Sequence, residues 1–398
     1  MEAYGKTEII NDFEERNPHV CGSGIFMNSA LYGELSVIGT CGCEQFLKKV
    51  DSYLREWRGS DSSFITVPEC KRFGSGEAKA MLHDSLRGYD VYIVADMYNY
   101  GVKYRMYGEE YPMSPDDHFQ DLKRIINAIA GKARRISVIM PMMYESRQDK
   151  RHMRESLDCA MALQELENMG VSNILTFDVH NIGVQNAIPL IGFDNIKCTY
   201  QMIKALVRVE PDIVVDADNL MVVSPDEGGM ERCIYYSSVL GCDLGMFYKR
   251  RDYTIVVNGK NPIVAHEYLG RPVEGKDVII VDDIISSGES MMDVAYQLKQ
   301  RGAKRIFIFA TFGLFCEGLD TIDAAYRAGN FTKIFTTNLV YRNPELLSRP
   351  WYTEVDLSKY VALLIDTLNH DETINHVLNP GEKIKALLER HKAAMERS

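Results

Sequence analysis

No apolar stretch in this chain reaches the about 18 residues that a membrane-spanning helix needs, which excludes a membrane protein of that type. Basic residues are scarce relative to acids: 45 Lys and Arg stand against 56 Asp and Glu, a formal net charge of −11. A general nucleic-acid binder draws affinity from neutralising phosphates, so that class is excluded, and any anionic ligand has to be met by a local cluster of cations. The first twenty residues, MEAYGKTEIINDFEERNPHV, lack the basic start and apolar centre of a secretory signal, so the expected location is the cytoplasm. Paired cysteine spacing is missing too. The nine cysteines are odd in number, and the one close pair, Cys41 and Cys43, has a single intervening residue and no second pair nearby. That fits reduced thiols lining a strand-to-helix turn better than a disulfide framework or a zinc site.

What is present is the composition of a globular protein, 46% hydrophobic and 25% charged over 398 residues, long enough for two domains plus ends. A strand over GELSVIG is followed by CEQFLKKVDSYLREW, whose apolar residues Leu47, Val50, Leu54 and Trp57 recur at helical spacing. The alternation continues through DVYIVAD, a helix opened by Ser114-Pro115-Asp116-Asp117, ISVIMP, a helix over 155–169, NILTFDVH and NLMVVSPD. Helical periodicity resumes at Arg232, then come DVIIVDD, a helix from Ser290 closed by Gly302, and RIFIFATF. Strands alternating with helices, several apolar throughout, predict an α/β fold with mainly parallel sheets covered on both faces. Ligands in such sheets sit beyond the carboxyl ends of the strands, where Asp178, His180, Asp226, Asp282 and Asp283 fall.

The run VIIVDDIISSGES (278–290) sets two adjacent acids, Asp282 and Asp283, at the end of an apolar strand. Ser286, Ser287, Gly288, Glu289 and Ser290 follow at the start of a helix. Backbone N–H groups, hydroxyls and the positive helix end then surround one point suited to a phosphate monoester. The two carboxylates can accept hydrogen bonds from vicinal hydroxyls, so the combination suggests a phosphorylated pentose.

This stretch resembles the phosphoribosyl diphosphate (PRPP) motif shared by phosphoribosyltransferases and PRPP synthetases, with Ser286 where an Asp is usual and serines for its threonines. Tyr144 to Arg151, YESRQDKR, resembles the run with which PRPP synthetases open their nucleotide-contacting loop, and implies ATP contacts from Arg147, Gln148 and Asp149. RFGSGEAKAMLHDSLRGYDVYIV (72–94) is similar to the family's adenine-side segment and implies Phe73, Ser75 and Glu77 there, with Arg87 also matching. TFDVHN implies a metal-associated His180, and VVSPDEGG implies Asp226 as a ribose- and metal-side carboxylate. FYKRRD implies Lys249 and Arg251 as the catalytic cations. Together these motifs cover roughly residues 35 to 378.

The resemblance to PRPP synthetases implies two phosphoribosyltransferase-like domains, an ATP side over 34–196 and a ribose 5-phosphate side over 197–360. Residues 1–33 are expected as an extension, and 361–398 as a segment partly packing back on the first domain. It further implies Mg²⁺, with Mn²⁺ admissible at a histidine. The implied reaction is diphosphoryl transfer from ATP to the C1 hydroxyl of ribose 5-phosphate, in a homo-oligomer built from dimers that binds neither nucleic acid nor membrane. Ser286, Phe312 (where the family has His in Thr-His-Gly) and the altered loop after Lys150 keep open the alternative of a non-catalytic regulatory partner. A transferase that consumes PRPP is the other alternative, against which Ser286 and the RQDK run both stand.

Overall fold

The computed structural model describes residues 31–151, 153–251 and 263–397, with the side chains of 249–251, 263–266 and 376 outside the described set. Most of the expected N-terminal extension therefore lies outside the described residues.

The first half runs β1 (Glu34–Gly39), α1 (Glu44–Arg58), β2 (Glu69–Arg72), β3 (Ala78–Met81), β4 (Tyr89–Val94), β5 (Lys103–Met106) and β6 (Glu109–Pro112). It continues with α2 (Pro115–Ile129), β7 (Arg135–Ile139), α3 (Asp158–Asn168), β8 (Asn173–Phe177) and β9 (Gly192–Ile196). Five of these strands form a parallel sheet in the order β1-β4-β7-β8-β9, with Val37 opposite Tyr92 and Ile93 opposite Val138. Residues from both faces of this sheet, such as Val91, Ile93 and Val138 on one and Val37, Tyr92 and Leu175 on the other, are buried against helices. Strand pairs β2-β3 and β5-β6 are separate antiparallel hairpins.

The second half runs α4 (Thr199–Val209), β10 (Leu220–Ser224), α5 (Met230–Leu240), β11 (Asp243–Arg251), β12 (Ile263–Leu269), β13 (Asp277–Ile285), α6 (Glu289–Gln300) and β14 (Ile306–Gly313). Then follow α7 (Asp320–Arg327), β15 (Lys333–Thr337), α8 (Pro344–Leu347), β16 (Tyr352–Val355), α9 (Ser358–Asn369), α10 (Asn375–Leu378) and α11 (Gly381–Met395). Its seven-stranded sheet has the order β12-β11-β10-β13-β14-β15-β16, parallel except for the antiparallel edge strand β12. The predicted α/β class with mainly parallel sheets flanked by helices is the observed one.

Helix α9 returns to the first half, where Arg58 meets Asp366 at 2.7 Å. Nearby, the fully buried Asp90 takes Arg135 at 2.6 Å and the Asn369 amide at 2.9 Å. α11 lies on the second half instead, its His391 ring nitrogen 2.8 Å from the Ile213 carbonyl oxygen.

The halves also meet just past the carboxyl end of β4. Buried Asp96 accepts the Tyr98 N–H at 3.0 Å and the Tyr341 N–H, from the loop after β15, at 2.6 Å. Burial pushes its carboxyl up to about 6, against the pull of those N–H groups and of Arg342. An acid raised in the folded state binds its proton more tightly there than when unfolded. The stability it contributes is therefore full below the ordinary value of 3.8 and declines as pH rises to about 6. Relative to Asp96→Asn, the parent should lose on the order of 3 kcal/mol between pH 4 and 6.5. Urea unfolding of both proteins across that range checks this, and parallel curves would contradict it.

Candidate active site

Both sheets turn their carboxyl edges toward each other. In the second half, the nine residues of β13 end in Asp282, Asp283, Ile284 and Ile285, two residues further than the pattern predicts, because Ile284 and Ile285 still pair with Phe312 and Gly313 of β14. Gly288 follows with φ +88° and caps α6; a side chain there would also meet Ile322 at 3.0 Å, so glycine is required on both counts. The N-cap of α6 is Gly288, which has no side chain to cap with; Ser287 Oγ accepts the Glu289 N–H at 3.4 Å, and the N–H groups after it in the first turn have no intrahelical partner. Glu289 is exposed.

The twin acids share a cation that the motif reading did not assign. Arg232, in the first turn of α5, approaches Asp282 at 3.7 Å and Asp283 at 3.6 Å. Burial, followed by the adjacent charge of Asp283, pushes the Asp282 carboxyl well above the ordinary carboxylate range, and Arg232 pulls it back. For Arg232 itself, burial opposes the charge, but Asp283, Asp178 and Asp282 outweigh it and hold the guanidinium ionised. Asp226, after β10, accepts the Gly228 N–H at 2.9 Å with Oδ1.

In the first half, β8 ends three residues sooner than NILTFDVH suggests, because Asp178 takes φ +37°, a left-handed conformation that breaks the strand. Its Oδ2 accepts the Thr311 hydroxyl of β14 at 2.6 Å and the Cys198 N–H at 3.2 Å, a direct tie between the halves. After β7, Tyr144 is fixed by its hydroxyl on Asp116 at 2.6 Å and by stacking on Phe119, ring centroids 4.4 Å apart. Glu145, at φ +51°, reverses the chain so that Arg147 points across, its Nη1 3.4 Å from Ser286 Oγ. Asp149 Oδ2 lies 2.7 Å from His180 Nδ1, whereas the Gln148 amide is taken up by the Ser156 carbonyl at 2.9 Å.

Arg147, Ser286, Asp282, Asp283 and, through Arg232, Asp178 thus face one inter-half cleft. Phe73, Ser75 and Glu77 form a separate hairpin turn, with Ser75 hydroxyl to Glu77 carboxylate 2.9 Å and the Tyr107 N–H on the Gly74 carbonyl at 2.8 Å. Among the described contacts none joins that turn to Arg147 or Ser286. Lys249 and Arg251 lie on β11, and their side chains are outside the described residues. Phe312, in the imidazole's place, is 2% exposed and belongs to the core.

Among the described residues His180 and Asp226 do not form a preassembled group of ligands, so a divalent ion beside them would have to take most of its shell from phosphate and water. Asp226 Oδ1 is engaged by backbone N–H groups, which turns the carboxylate into an oriented oxygen donor. His180 is held through Nδ1 by Asp149 at 2.7 Å, a carboxylate–histidine pairing that would orient the ring if Nε2 met a metal. A magnesium ion takes one or two protein groups and fills the rest of its shell with phosphate and water. Cys41, Cys70 and Asp121, the triad of potential ligands that lies within 4.8 Å, fits a metal poorly, because Arg72 and Arg124 occupy the Asp121 oxygens at 2.9 and 2.8 Å.

Residues 36–170 match the N-terminal domain of ribose phosphate pyrophosphokinase, and residues 192–321 a phosphoribosyl transferase domain. A ribose-phosphate pyrophosphokinase of Vibrio parahaemolyticus is 28% identical over 329 residues, 81% of this chain and 95% of that relative. One from Ralstonia nicotianae is 30% identical over 243 residues, 60% of this chain and 68% of that relative. In three dimensions the chain is similar to a phosphoribosylpyrophosphate synthetase from Mycobacterium smegmatis, with a TM-score of 0.70 at 20% identity over 85% of this chain and 99% of that one.

Proposed function

The chain belongs to the ribose-phosphate pyrophosphokinase family, and from that premise we propose that it moves the diphosphoryl group of ATP onto the C1 hydroxyl of ribose 5-phosphate, giving PRPP and AMP. The observation that carries the reading to this chain's own residues is the 3.4 Å approach of Arg147 to Ser286, which sets the polyphosphate-binding run of one half against the pentose-phosphate turn of the other. In the reaction the sugar O1 forms a bond to the β-phosphorus, the bond from that phosphorus to the bridging oxygen breaks, AMP leaves with the electron pair, and the hydroxyl proton is released.

Such a step asks for alignment and for positive charge where negative charge develops. The start of α6 with Ser286, Ser287, Gly288, Glu289 and Ser290 holds the 5-phosphate. Asp282 and Asp283 accept the ribose hydroxyls and so aim O1, while Arg232, 3.7 and 3.6 Å from them, offsets part of the charge that the adjacent acids bring together. Arg147 meets the phosphates, and the turn at Glu145 and Asp149 holds its loop over them. His180 and Asp226 would hold Mg²⁺, or Mn²⁺, which would supply positive charge against the phosphates. Lys249 and Arg251 are assigned to the transferring oxygens.

Phe73 is 51% exposed at its turn and stands apart from the cleft; a homo-oligomer built from dimers is proposed from membership of the family. Among the described residues no helix is long and apolar enough to cross a membrane, and the cytoplasm is the proposed location.

Purified protein mixed with ATP, ribose 5-phosphate and Mg²⁺ should release AMP only when the sugar phosphate is present. Absence of AMP under varied metal and phosphate would overturn the reading, and pyrophosphate release from PRPP with a nucleobase would replace it with a transferase. In the same assay Arg147→Ala should raise the KM for ATP about tenfold or more, the loss of a charge-assisted phosphate contact. An unchanged KM would remove Arg147 from the ATP side.

A further inference from the structure

A cavity of about 420 Å³ opens between the halves beside the Ser286 turn, and nothing in the proposed reaction uses it. Tyr98 and Tyr100 from the first half and Phe315, Leu319, Tyr341 and Leu346 from the second give it largely apolar and aromatic walls. No lysine or arginine lines it, and the one ionisable acid at its wall, Glu345, is negative, so a phosphate has no partner there. Its polar wall groups include Asn343, whose Oδ1 accepts the Glu345 N–H at 3.0 Å, and Glu345, whose Oε1 pairs with Arg349 at 2.6 Å, so that the second carboxylate oxygen of Glu345 is the group placed to meet the hydrogen-bonding edge of a flat ring.

The walls are fixed rather than collapsed. Tyr100 and Tyr341 meet edge to face at 5.0 Å, and Gly101 makes room for this, since a Cβ there would come within 2.5 Å of the Tyr341 ring. Phe315 sits at φ +49°, a conformation that costs a non-glycine residue on the order of 1–3 kcal/mol. What holds it is the pentose-phosphate turn itself: the N–H groups of Leu314 and Phe315 bind the Ile285 carbonyl at 2.9 and 3.3 Å, and that of Cys316 binds the Ser286 carbonyl at 2.8 Å. Cys316, exposed among the cavity-lining residues, also brings its sulfur 3.8 Å from Ser286 Oγ.

We propose that this cavity is a binding site for the neutral planar ring of a nucleobase or nucleoside, distinct from the ATP side, and that its occupancy is felt at the sugar-phosphate turn through the Leu314–Cys316 backbone. Aromatic walls without a cation select a flat, uncharged heterocycle over an anion. A strained segment bolted to Ile285 and Ser286 passes any shift of the cavity wall to the residues proposed to hold the 5-phosphate.

The test needs neither ATP nor sugar phosphate, so it stands or falls apart from the synthetase reading. Full-length protein is treated with iodoacetamide, and alkylation of Cys316 is followed by peptide mass spectrometry at increasing adenosine. Adenosine should slow the reaction at least fivefold in a saturable way, and inorganic phosphate should not. Tyr100→Ala, at a side chain 44% exposed, should raise the half-protecting concentration at least fivefold while the variant still unfolds in one cooperative transition, its midpoint lowered only by the loss of the Tyr341 ring contact. Arg147→Ala should leave protection intact. No saturable protection at millimolar adenosine, protection indifferent to Tyr100→Ala, equal protection by phosphate, or protection abolished by Arg147→Ala would each overturn the proposal.

Discussion

Arg232→Met is expected to destabilise the protein by about 3–5 kcal/mol at neutral pH, the usual consequence of removing one partner from a buried ionic cluster. Methionine restores most of the volume, so the loss reports charge and not a cavity. Two carboxylates 3.6 and 3.7 Å from the missing guanidinium remain, one of them already pushed up by burial and by its neighbour. The sign of the pH dependence follows. Acids raised in the folded state contribute full stability below their unfolded values and lose it as pH rises, so the gap between parent and variant should be small near pH 4 and widest at neutral pH. Urea midpoints at both pH values measure it. Adding Asp283→Asn should recover part of the loss, because the repulsion between the acids is then gone, and a simple sum of the two single effects would show that Arg232 does not act through Asp283.

That residue also marks where sequence reading stops. The pentose-phosphate turn was legible because its parts are contiguous: an apolar strand, two acids, small residues and a helix start lie within thirteen positions, Val278 to Ser290. The same is true of Ser114, whose hydroxyl and Asp117 exchange hydrogen bonds with each other's N–H groups as the local pattern predicts. Arg232 carried no such signal. It stands one position before Cys233, on a helix whose apolar spacing says only that one face is buried, and its partners lie about fifty residues away on β13. Strand β9, GFDNI, lacks alternation and exists because β8 offers it a register, Leu175 opposite Asp194. The hairpins β2-β3 and β5-β6 are four residues per strand and largely polar, too short for periodicity to speak. Cys41 was read beside Cys43, yet in the fold its neighbour is Cys70, while Cys43 is buried with its thiol pushed up to about 12. Tyr341 and Asp96 are 245 positions apart, and only the closing of the two halves makes them partners.

Lys249→Ala should lower kcat by about 10² to 10³, the scale of losing one preorganised electrostatic donor, and change the KM for ATP less than about threefold. The backbone register supports giving this position that role. β11 runs parallel to β10 with Ser224 opposite Met246, so Lys249 lies three residues beyond the last paired position, past the carboxyl end of β10 from which Asp226 emerges. It pairs there with His266 of the antiparallel edge strand, which extends this sheet outward at the same edge that carries Asp282 and Asp283. A cation placed at that edge can meet oxygens between the polyphosphate and the sugar, where charge grows only as the β-phosphorus changes partners. An interaction that strengthens in the transition state appears in kcat, whereas one made equally to bound ATP appears in KM. Steady-state kinetics therefore separate the two, and a KM rise with kcat intact would move Lys249 from the transferring group to the binding of ATP. Lys249→Arg tests the geometry: a planar fork cannot reproduce the compact charge of an ammonium at one oxygen, so it should recover binding more than turnover.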